Sequence, residues 1–104
     1  MSDISETLTE RHAVHGAFVD QAEISQALSD VMRRATNYKS LTPHQREALE
    51  MIQHKIARIL EGDRNHMDHW HDIAGYATLV ERHLRQERER LTAQASKSIL
   101  VSND

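Results

Sequence analysis

No cysteine occurs among the 104 residues, which removes disulfides, thiolate metal sites and cysteine nucleophiles together. Proline appears once and glycine three times, so little in the chain interrupts helices. Aromatic side chains are scarce, and no run of β-branched residues argues for a sheet. There is no excess of positive charge either. The formal net charge is −3, and without an overall positive field the composition argues against nucleic acid and against an anionic membrane surface as partner. The uncharged stretches are too short to span a bilayer, and the amino terminus has no basic region followed by an apolar core. The expectation is a cytoplasmic protein with no membrane partner. A glycine-rich phosphate loop, a nucleophile elbow and a Ser/His/Asp arrangement are all missing.

What the chain does contain is Ala, Leu, Ile, Glu, Gln and Arg, the composition of an all-α domain. At this length one core is adequate but not generous, so a homodimer would be a natural way to bury more apolar surface. Residues 1–95 read as one helical bundle of three main helices with short terminal helices, and residues 96–104 as a flexible or docking tail carrying Ile99-Leu100-Val101. A short leading helix fits Ile4 to His12 and breaks at His15-Gly16. From Asp20 to Arg34, Ile24, Ala27, Leu28, Val31 and Met32 recur at helical spacing. The next helix starts on a capping box, Thr42 with Gln45, has Pro43 in its first turn, and stops at Gly62, expected to be left-handed. Its stripe of Leu49, Ile52, Ile56, Ile59 and Leu60 is expected to face a core. The following helix begins near Asn65 or Asp68, carries Trp70, Ile73, Ala77, Val80 and Leu84 inward, and continues through a charged run in which Glu81 and Arg85 can pair.

Chemistry is concentrated on these two helices. Glu47, Glu50, His54 and Arg58 fall in one line that can hold a divalent ion and a phosphate, although this line lies opposite the apolar stripe, where an ordinary solvated face would also lie. Asp72 is expected at the edge of the packed interior, where an unpaired carboxylate is costly; it needs Arg58, Lys55 or a metal as partner. Gly75 suggests close helix packing or room for a ligand. The His66 to Asp72 segment holds three His and two Asp, but His69 and His71 point about 200° apart on a helix, which favours a scattered, partly capping cluster over a zinc site. The His71-Asp72 dipeptide of metal phosphohydrolases lacks the further helices that class needs.

The stretch from Thr42 to Leu84, with Glu47-Ala-Leu-Glu50 on one helix and Asp72 on the next, resembles a family of small phage and prophage helical proteins, and more distantly is similar to the all-α nucleoside triphosphate pyrophosphohydrolases of the MazG and dimeric dUTPase group. That group carries ExxE and ExxD on successive helices; here His69 stands at the Glu position of the second motif, with Asp68 one residue earlier. The resemblance implies that Glu47, Glu50, Asp72 and Asp68 would hold Mg²⁺, with Glu47, Glu50 and Asp72 catalytic. It further implies Lys55 and Arg58 on the phosphates of a (deoxy)nucleotide, and Tyr76 or Trp70 against its base. The first reading is therefore a Mg²⁺-dependent nucleoside triphosphate pyrophosphohydrolase acting on a (deoxy)nucleotide. The alternative is a non-catalytic, phage-encoded binding protein that sequesters a nucleotide or blocks a host defence protein.

Overall fold

The structure is a computed structural model that describes the backbone of residues 3–102 and the side chains of residues 4–98. Among the described residues four α-helices follow one another: α1 (Asp3–His15), α2 (Phe18–Arg33), α3 (Pro43–Glu61) and α4 (Met67–Ser102), with a 3-10 turn at Tyr38–Ser40 between α2 and α3. The all-α bundle expected from composition is what forms. Among the described residues no helix is long and apolar enough to cross a membrane.

Local chemistry sets the starts and stops. Thr42 caps α3: its hydroxyl accepts from the Gln45 backbone N–H, and the Gln45 side chain accepts from the Thr42 N–H at 3.0 Å. Between α1 and α2 the chain turns at Gly16, whose φ of +82° is the left-handed conformation that favours glycine. Gly62 differs from its expected role. Its φ is −117°, and glycine is needed there because a Cβ would lie 2.2 Å from the Val14 carbonyl oxygen. The ends of α1 and α3 are thus pressed together, with the Asp63 N–H donating to Val14 O at 2.8 Å.

Helix α3 lies at the centre, flanked by α2 and α4 and touched at its C-terminal end by α1. The side chains it buries are small or polar: Ala48, Ala57 and Gln53. This corrects the expected core stripe, because Leu49, Ile56 and Leu60 are exposed. The reason is geometric. With α2 and α4 on two sides of α3, the apolar stripe falls between or beyond the contacts, whereas alanines allow the helices to approach. On α4, likewise, Ile73 and Val80 are half-buried, but Trp70 and Leu84 are exposed.

Helix α4 outruns the bundle. His83 stacks edge-on against His44 at the start of α3, with ring centroids 4.3 Å apart, and the helix then continues to Ser102 without a break at residue 96. At 1.5 Å per residue the part beyond Leu84 is about 27 Å long. It is held by its own pairs, including the expected Arg85 to Glu81 bridge at 2.8 Å. The side chains of Ile99-Leu100-Val101 lie outside the described residues.

Candidate functional site

Asp72 sits on the α4 surface that faces α3, its side chain 40 % exposed, and the Lys55 ammonium lies 2.9 Å from its Oδ2. Lys55 is the more enclosed partner, at 12 % exposure. The hydrogen bond from Lys55 holds the Asp72 carboxyl below the usual carboxylate range. Of the partners expected for Asp72, the structure provides Lys55.

The other acidic candidates lie elsewhere. Glu47 borders a groove of about 340 Å³ between α3 and α4, together with His44, Tyr76, Leu79 and His83. Asp72 borders a separate hollow with His71, Gly75, Tyr76 and Leu79. Tyr76 and Leu79 are common to both. Glu50 is half-buried on α3, and Asp68 is exposed, with His66 Nε2 3.9 Å from its carboxylate. Among the described residues no three His, Asp or Glu side chains are grouped as they would be around a metal ion. Glu47, Glu50, Asp68 and Asp72 as placed in this single chain therefore do not fit a shared Mg²⁺, and an ammonium occupies the approach to Asp72.

The Glu47, Glu50, His54, Arg58 line is not a uniform solvent face. Its C-terminal half turns toward α2 and α1: His54 Nδ1 lies 3.2 Å from Ser25 Oγ, and the Arg58 Nε is buried without a hydrogen-bond partner. Beside it Gln53 bridges to α2, its amide donating to Ser25 O at 2.8 Å, to Ser25 Oγ at 3.1 Å and to the Ser29 hydroxyl. Sequence reading missed this polar seam. The available signal was Ser25 and Ser29 one turn apart, with a lone Gln inside an apolar stripe.

The histidines also sort themselves by burial. His69 is 1 % exposed, its Nε2 is 3.2 Å from His15 Nδ1, and His66 stacks against it with ring centroids 4.7 Å apart. Burial, reinforced by the positive charge of Arg58, lowers the His15 pKa to about 4; burial and His66 lower that of His69. His71 is exposed, on the other side of the helix. Thus His69, at the position of the motif's Glu, serves the packing between α1 and α4. Trp70 lies on the surface and donates its indole N–H to Arg64 O at 2.9 Å. Gly75 meets nothing within 4 Å of a notional Cβ, so close helix packing is not its reason within this chain.

These features define an all-α chain whose central helix carries a polar seam on one side and a lysine–aspartate pair on the other. The chain belongs to the family described as a domain of unknown function (DUF6378), whose profile matches residues 2–84. The match ends where α4 leaves the bundle. No curated protein and no solved structure matches the chain.

Proposed function

We propose that this protein is a self-associating helical binding module that takes up a phosphorylated small molecule of the nucleotide class without hydrolysing it. The observation that carries this reading is the Lys55–Asp72 ion pair, which places an ammonium where an acidic metal centre would need an open carboxylate. Cationic groups on the same helix, Lys55 and Arg58, suit phosphate better than metal.

Self-association is supported by surface. The chain exposes 8268 Å², against roughly 6,000 Å² for a compact monomer of its mass. Its radius of gyration is 20.1 Å, where about 13 Å suffices for a compact domain of this length. Exposed Leu49, Ile56 and Leu60 on α3 form the face that a second copy would cover.

A nucleotide pyrophosphohydrolase is the second reading. It is favoured by Tyr76, which borders both the Glu47 groove and the Asp72 hollow and so links the two acidic sites. The test combines deoxynucleoside triphosphate titration with pyrophosphate release, each with Mg²⁺ and with a chelator. Binding that survives the chelator and yields no pyrophosphate is expected. Mg²⁺-dependent release that disappears in Asp72→Ala would overturn the binding reading and establish the second.

A further inference from the structure

The last turns of α1 and α3 meet at Gly16 and Gly62, and this crossing gathers basic side chains from two helices around one space. Arg11, His12 and His15 of α1 and Arg58 of α3 border a cavity of about 590 Å³, with Phe18 and Leu8 supplying an apolar wall. Among the described residues no acidic side chain lines it. Among the described residues neither Arg11 nor Arg58 has a carboxylate partner, and the Arg58 Nε is enclosed without an acceptor. The first turn of α2 opens beside the cavity, and its N-cap residue, Ala17, offers no side chain to its free N–H groups.

The basic groups also offset the negative ends of α1 and α3. That role requires neither a cavity nor an Arg58 Nε that lacks an acceptor. Two arginines and an uncapped helix start are the donors that a phosphate group accepts from, and the volume suits a ligand of nucleotide size. Phe18 is 78 % exposed, with its ring available for stacking.

We propose that the cavity between α1, α2 and the end of α3 is the phosphate-binding site of this protein, with Arg11 and Arg58 holding the phosphates of a nucleotide and Phe18 stacking on its base. The inference rests on the reading of the chain as a binder of phosphorylated small molecules, and it locates that site away from the α3–α4 groove. His15 stays neutral at pH 7 and, with Nδ1 turned to His69, has Nε2 left for the ligand.

The test is calorimetric titration of pyrophosphate and of dATP into the full-length protein in its native assembly, with folding of each variant checked by circular dichroism. Arg11→Gln, on the exposed face of α1, and Arg58→Gln are each expected to weaken both ligands roughly tenfold or more, whereas Arg88→Gln on the α4 extension leaves them unchanged. Phe18→Ala is expected to weaken dATP while sparing pyrophosphate. Should Arg58→Gln misfold, Arg11→Gln alone decides. If binding is indifferent to Arg11, Arg58 and Phe18 but is lost in Tyr76→Ala, the site lies in the α3–α4 groove; this inference then fails while the binding reading stands. If the wild-type protein binds neither probe, both fail.

Discussion

His15 Nδ1 and His69 Nε2, 54 residues apart in the chain, lie 3.2 Å from each other and tie the end of α1 to the start of α4. Both rings are held neutral, and among the groups facing them Arg58, His66 and Lys55 all oppose a further positive charge. The His15 pKa falls from 6.5 to about 4 on folding, so between these values the unfolded chain binds more protons than the folded one. The stabilisation is present above pH 6.5 and is lost as pH falls toward 4. Thermal melts at pH 7.5, 6.0 and 5.0 should show a falling midpoint, and His15→Asn should flatten that slope. An equally steep slope in the variant would remove His15 as its cause.

The Gln53 seam should matter as much as an apolar core position. Gln53→Ala leaves Ser25 and Ser29 without their donor and opens space between α2 and α3, at a cost of about 2–3 kcal/mol. Urea unfolding followed by circular dichroism measures it. A loss below about 0.5 kcal/mol would mean that water replaces the amide without penalty.

Two glycine substitutions should have opposite signs. Gly16→Ala forces a side chain into a left-handed position with its Cβ 2.1 Å from Glu61 O, and is expected to destabilise by about 1–3 kcal/mol. Gly75→Ala places a methyl in open space on a helix and should stabilise the single chain by about 0.5–1 kcal/mol. Denaturation midpoints compare them. If Gly75→Ala destabilises, a second copy or a ligand packs against that position.

Light scattering should report a mass of at least twice 12.0 kDa, and the paired change Ile56→Glu with Leu60→Glu should return the protein to a monomer that keeps its helical spectrum. A wild-type monomer at high concentration would contradict self-association.

Lys55→Met should release the Asp72 carboxyl from its ammonium and return its titration upward toward 3.8, as followed by NMR. An unmoved midpoint would show that the pair is not formed in solution.

Much of this protein was legible residue by residue. The α3 cap at Thr42 and Gln45, the break at His15-Gly16, the Glu81–Arg85 pair and the all-α composition depend on neighbours within one or two turns, where spacing fixes geometry. For Asp72 the sequence offered Lys55, Arg58 or a metal as partner, because an edge carboxylate needs one. Only the tertiary structure placed Lys55 beside it.

Helix periodicity marks an apolar face without saying what covers it. Leu49, Ile56 and Leu60 form such a face, yet the side on which α2 and α4 settle was decided by where Ala48 and Ala57 allow backbones to approach and where Gln53 can reach Ser25 and Ser29. The contact of His15 with His69, and the placing of Arg11 and Arg58 around one cavity, depend on α1 folding back at Gly16 onto the end of α3. Sequence by itself therefore determined the helices and most of their limits, because hydrogen bonding and capping are local. The grouping of charge and the choice of buried face belonged to the tertiary structure, because they depend on contacts between residues far apart in the chain.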